Sequence, residues 1–176
     1  MALLPIVLYP DPVLLQPTRP VDSLDDEVRK LVADMTETMY AAPGIGLAAN
    51  QVGDTRRICI VDLTAGESPG ALHVLINPEI VEATGTQLGE EGCLSFPDIT
   101  IDVRRALDVR VHALDLGGNS FELSAEGLLA RAILHECEHL DGTTFLRNLS
   151  SLKRELIKKQ IRKRIKAGDW VAMGSG

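Results

Sequence analysis

Residues 135–139 read His-Glu-Cys-Glu-His, and this run constrains the chain more than any other part of it. Residues four apart on a helix lie about 40° from each other around the axis, so His135 and His139 on a helix present both imidazoles on one face as a chelating pair. Two histidines at that spacing around a glutamate form a zinc-hydrolase signature, and the motif makes the residue after the first histidine, Glu136, the general base. On the same wheel Glu138 falls beside the pair, where it suits a residue behind the ligands or at the surface, and Cys137 points away into the core. Sequence on either side supports the helix: SAEGLLARAILHECEHL opens at Ser124, read as an N-cap, and offers Leu128, Leu129, Ala132, Ile133 and Leu140 for burial.

A catalytic centre of this type needs a third protein ligand and an open position. The pattern H-E-x-x-H-x-x-G-x-x-H matches as far as Gly142 and fails at Phe145, which excludes that protease subclass. Glu155, the main downstream carboxylate, sits in a basic solvated stretch and is a poor substitute. The remaining soft donors are His73 and His112 in strand-like runs, Cys59 in the apolar run RICIVDL, and Cys93. Cys93 differs from the others because GEEGCLSFP can turn sharply at Gly92 and offer a thiolate to a metal.

The rest of the chain reads as α+β. Ser23 followed by Asp25, Asp26 and Glu27 looks like a helix start, with Val28, Leu31, Val32, Met35 and Met39 at helical spacing. Pro43 and Gly44 end that helix and open a loop, GIGLAANQVG. RRICIVDL and LHVLINPEIVEA read as strands, and LDVRVHALDL with SFELS as a hairpin turning at Gly117-Gly118-Asn119. A terminal helix striped by Leu152, Leu156, Ile157, Ile161 and Ile165 stops near Gly168. Helix, then short strands, then helices predicts mainly antiparallel sheets around the helix carrying the motif.

At 176 residues and 45% hydrophobic, residues 1–176 suit one domain with a sizeable core. No stretch approaches the roughly 20 apolar residues of a membrane span, the proline-broken start lacks a basic region, and three cysteines do not suggest a disulfide framework. A soluble, unexported, cytoplasmic protein with reduced thiols is expected. The net charge of −7 argues against bulk binding to nucleic acid or anionic membrane, yet residues 153–166 hold eight Lys/Arg and one Glu, +7, leaving −14 elsewhere. That run is either a solvated helix face or a docking surface for something anionic.

Three segments in order, GIGLAANQ from Gly44 to Gln51, EGCLSFP from Glu91 to Pro97 and HECEHLDG from His135 to Gly142, resemble the peptide deformylases of bacteria. The resemblance runs over nearly the whole chain, and the combination is far more specific than any one segment. GIGLAA alone also fits a dinucleotide fingerprint with Asp62 as ribose partner, but that fingerprint needs a strand before the glycines and here a helix precedes them. The resemblance implies metal ligation by Cys93, His135 and His139, with Glu136 as general base and then general acid. It implies oxyanion donors in the Gln51 side chain and the Leu94 amide, and substrate contacts by Ile45, Gly46, Glu91 and Gly92. Leu128 and Ala132, one helical turn apart, are candidates for the pocket of the methionine side chain.

By that resemblance the chain removes the formyl group from the N-terminal formyl-methionine of new polypeptides, releasing formate, with Fe²⁺ as the usual ion and Zn²⁺, Ni²⁺ or Co²⁺ as alternatives. Cys-His-His suits zinc well, so iron rests on the resemblance alone. The ribosome surface becomes a partner for the basic helix; a membrane or a specific nucleic-acid sequence is not expected, and a monomer is the default. Thr100 stands where many members carry Arg, and Leu134 where Gln often precedes the first histidine. The competing readings are a zinc endopeptidase on the same helix, with no need of Cys93, and a non-catalytic metal-binding or ribosome-associated protein.

Overall fold

A computed structural model describes residues 2–172. Its first helix, α1 (Asp26–Ala41), buries Val28, Leu31, Val32, Met35 and Met39, the stripe expected from their spacing. Its cap is Asp25, whose carboxylate accepts from Val28 N at 3.0 Å, not Ser23. The loop expected at GIGLAANQVG is partly ordered: Gly46–Ala48 form strand β1, and Ala49–Val52 a 3-10 turn closed by Gly53 at φ +84°.

Strands β2 (Ile58–Val61), β3 (His73–Thr84), β6 (Asp108–Leu114) and β7 (Ser120–Glu126) join β1 in a five-stranded antiparallel sheet of order β1-β2-β3-β6-β7. β4 (Gln87–Cys93) and β5 (Phe96–Arg105) form a separate antiparallel pair. All four residues of β2 are buried because both faces are covered. Ile58 and Ile60 pack with the α1 stripe, and Cys59 and Val61 with helix α2 (Gly127–Leu140). The helix carrying the motif therefore lies against the sheet on the face opposite α1.

Ser124 does not cap α2. It pairs with Arg110 inside β7, the strand runs on to Glu126, and Gly127 at φ +62° turns the chain from strand into helix. Helix α3 (Ser151–Ala167) ends at Gly168 in the left-handed conformation, as expected. Of its apolar stripe only Ile161 is buried, packing with Phe96, Ile99, Phe145 and Leu146, while Leu152, Leu156 and Ile165 face solvent. No helix among the described residues is long and apolar enough to cross a membrane.

Candidate metal centre

β4 and α2 run side by side in the same direction, and their residues meet in matched steps. Alternate strand residues are roughly 6.6–6.8 Å apart and helix residues four apart about 6 Å, so the two elements keep pace. Gln87, Gly89, Glu91 and Cys93 form the inward face of β4, alternating with exposed Leu88, Glu90 and Gly92. Gln87 Nε2 donates to the Gly127 carbonyl at 2.7 Å, and Arg131 Nη1 to the Gly89 carbonyl at 3.2 Å. Glu91 Oε1 lies 2.8 Å from His135 Nδ1, and Cys93 Sγ 3.2 Å from His139 Nε2.

The last steps gather one donor atom each from Cys93, His135 and His139 within 4.8 Å of one another. His135 Nδ1 is engaged by Glu91, which leaves Nε2 as the free nitrogen of that ring. A thiolate with two imidazoles suits a divalent transition ion and leaves a position for a further group. Beside them Glu136 Oε1 is buried with no hydrogen-bond partner among the described residues, an orphan that a loaded metal site accounts for. The residues present fit a metal ion.

Burial raises the Glu136 carboxyl to about 7, with His135 and Arg105 pulling it down and Glu91 and Glu138 pushing it up. A carboxyl poised near neutrality suits general-base work. Gly46 makes room for it, since a Cβ there would strike Glu136 Oε2. Gln51, 1% exposed, accepts from Ala48 N at 3.0 Å through Oε1, while its Nε2 donates to Ser95 Oγ at 3.1 Å and points at Cys93 Sγ, 3.5 Å away.

Sequence reading missed the charges behind His135. Glu91 receives Arg105 Nε and Nη2, both at 2.9 Å, and Arg131 Nη1 at 2.7 Å, while Arg105 Nη1 reaches Glu138 at 2.7 Å. The two carboxylates and two guanidiniums balance formally, which is what makes their burial tolerable. Burial pushes the Glu91 carboxyl up, but hydrogen bonds from Arg105 and His135 outweigh it and hold the group at about 2. Burial, with the charges of His135 and Arg105, holds His139 well below the ordinary imidazole value, so it stays neutral and able to ligate.

A cavity of about 450 Å³ opens onto the donor cluster. Ile45, Gly46 and Gln51 line one side, Gly92, Cys93 and Leu94 another, and Leu128, Ala132, His135 and Glu136 of α2 the floor. His139 is fully buried against Cys93. Glu91 reaches the lining, and its carboxylate is engaged by Arg105, Arg131 and His135. His73 and His112 lie in β3 and β6, away from the cluster, and Glu155 is exposed on α3 beside Lys158. Thr100 lines the cavity as an exposed residue, and Leu134 packs half-buried against the core between α2 and the sheet.

The family model described as polypeptide deformylase matches residues 3–155. The chain belongs to the polypeptide deformylase family. Deformylases are metal-dependent enzymes that remove the formyl group from the N-terminus of new polypeptides. The chain is 52% identical over 170 residues to the peptide deformylase of Acidobacterium capsulatum, covering 97% of this chain and 100% of that one. Its fold is similar to the Legionella pneumophila peptide deformylase, with a TM-score of 0.86 and 40% identity over 94% of this chain and 98% of that one. The Ehrlichia chaffeensis peptide deformylase in complex with actinonin is also similar, with a TM-score of 0.85 and 38% identity over 93% and 98% of the two chains.

Arg105 and Arg131 are the deformylase residues that sequence reading overlooked. One signal was available for Arg131: an arginine four residues before His135, between alanines on an apolar helix face, needs an acid to pair with. For Arg105 no local signal existed, because Glu91 is 14 residues away across the β4–β5 hairpin.

Proposed function

We propose that Cys93, His135 and His139 hold the divalent ion of this deformylase and that the cavity beside them takes the N-formyl-methionyl end of a new polypeptide. The observation that carries this is the convergence of Cys93, from the end of β4, with both histidines of α2 beside a buried Glu136. A bound ion supplies Lewis acidity, polarising a carbonyl and acidifying water. Glu136 takes a proton from the attacking water and returns it to the departing amine nitrogen as the C–N bond breaks, leaving formate and a free amino terminus. The Gln51 side-chain amide and the Leu94 N–H, from two residues that line the same cavity, donate to the oxyanion.

β1 is an edge strand of its sheet, so its outer side can pair with a substrate backbone along Ile45 and Gly46, with Gly92 opposite. Leu128 and Ala132 take the methionine side chain. The physiological ion is Fe²⁺, with Zn²⁺, Ni²⁺ and Co²⁺ able to replace it. The exposed basic face of α3 docks on the ribosome, and the protein works in the cytoplasm as a single-domain monomer. Three free cysteines support a reducing compartment, and the placing of exposed Leu3, Leu88 and the Leu152–Leu156 pair on three different segments supports a monomer.

The test is formate release from a formyl-Met peptide by anaerobically prepared, iron-loaded protein, beside Glu136→Gln. The variant should keep its metal and lose roughly 10²–10⁴-fold in rate. Wild-type protein that binds iron and yields no formate would sink the proposal.

A further inference from the structure

We infer that Arg131 and Gly89 are a matched pair that positions His135: the arginine steers the ring through Glu91, and the glycine makes room for the arginine. The inference rests on the reading of His135 as a metal ligand. Arg131 is 5% exposed on α2, and an arginine buried so far must find partners. Its Nη1 donates to the Val103 carbonyl at 2.8 Å, the Gly89 carbonyl at 3.2 Å and Glu91 Oε2 at 2.7 Å. Gly89 and Val103 are register partners across the β4–β5 pair, so one guanidinium ties both strands to the helix.

Arg131 and His135 stand one turn apart on α2 and hold opposite oxygens of the same carboxylate, Oε2 and Oε1. Arg105, from β5, already binds both oxygens and could keep Glu91 in place on its own strand pair. What Arg131 adds is a link between that carboxylate and the helix His135 belongs to. The height of β4 against α2 is thereby fixed at the step where the imidazole must be aimed.

Gly89 follows from the same geometry. A Cβ there would lie 3.0 Å from Arg131 Nη2, 3.2 Å from Cζ and 3.4 Å from Nε, so the guanidinium plane rests on the glycine. Its backbone is not in the left-handed region, and glycine inside a strand is otherwise a loss of stability, so close approach is its reason for being there.

Co²⁺-loaded wild type, Arg131→Met, Arg131→Lys and Gly89→Ala test this through the visible spectrum of the bound ion and its affinity, by competition with a chelator. Melting of the metal-free proteins serves as control. Arg131→Met should bind Co²⁺ roughly 10–100-fold more weakly with a shifted spectrum. Arg131→Lys should recover part of the loss, because an ammonium can reach Glu91 but not both carbonyls at once. Gly89→Ala should shift the spectrum in the same sense with a smaller loss of affinity. Wild-type affinity and spectrum in Arg131→Met overturn the inference whatever its melting temperature, and if that variant does not fold, an unchanged spectrum in Gly89→Ala overturns it. A wild type that binds no Co²⁺ would instead overturn the reading of the site.

Discussion

The Glu136 carboxylate occupies the space where a side chain at Gly46 would stand, so that a Cβ there would overlap Oε2 and lie 3.0 Å from Cδ. Gly46→Ala must therefore push Glu136, the proposed general base, away from the cluster. A misplaced base of this kind costs on the order of 10²-fold in turnover. Steady-state kinetics should show the fall in kcat with metal content unchanged; wild-type kcat in a folded Gly46→Ala protein would contradict the assignment.

Cys93→Ala separates this enzyme from an endopeptidase built on the same helix. The side chain is only half-buried, so the metal-free variant should melt close to wild type. Its metal affinity should fall by more than the roughly 100-fold typical of losing a residue behind the ligands, and formate release with it. Retained metal after dialysis against a chelator would show that the third ligand lies elsewhere.

Gly142 follows α2 at φ +79°, and a Cβ on it would come 2.6 Å from the Gln16 carbonyl carbon and 2.7 Å from Pro17 N. Those residues lead into Thr18, whose N–H donates to the Leu140 carbonyl at 2.8 Å. Gly142→Ala meets conformational strain of roughly 1–3 kcal/mol and a backbone overlap besides. Urea unfolding should show a loss at the upper end of that range or beyond.

Tyr40 donates its hydroxyl to Asp62 at 2.6 Å, and burial together with that bond raises the phenol to about 12. The folded protein keeps a proton that the unfolded chain releases near pH 10. This contribution to stability is thus fully present below about pH 10 and is lost as pH rises toward 12. Tyr40→Phe should be less stable than wild type at neutral pH and should lose less between pH 10 and 12. Parallel urea midpoints for the two proteins across that window would refute the sign.

Lys158, Lys159 and Arg162 lie on α3, whose exposed face also carries Leu152 and Leu156. Reversing the three charges should weaken co-sedimentation with ribosomes, flatten its salt dependence and leave turnover of a short formyl peptide unchanged. Unaltered ribosome binding would remove the docking role.

The helix of the motif could be read from sequence because its two histidines are local, four residues apart on one face. So could the hairpin around Gly117 and Gly118, and the stop at Gly168, where single residues carry the geometry. Ser23 and Ser124 misled because a capping residue is chosen by where the neighbouring elements leave the chain: Asp25 reaches the α1 terminus, and Ser124 is held in register by Arg110. β1 escaped notice because three residues of Gly-Leu-Ala become a strand only by pairing with Cys59, Ile60 and Val61. The ion pairs of Glu91 are not legible in the sequence because its partners come from β5 and α2, far away along the chain.

The pacing of β4 against α2 also dictates where this chain can tolerate insertions and deletions. One residue gained or lost among 87–93 would break the alternation that puts Gln87, Gly89, Glu91 and Cys93 on one face, since a strand reverses face at every residue. One gained or lost between His135 and His139 would swing the second histidine about 100° from the first, and one between Gly127 and His135 would turn both away from β4. Between these two stretches β5 is held by its own partners, Arg105 on Glu91 and Val103 on Arg131, but the turn that joins β6 to β7 touches neither. Length can therefore drift at the Asp115–Asn119 turn, while the two segments that face each other are held to a fixed count of residues by the contacts between them.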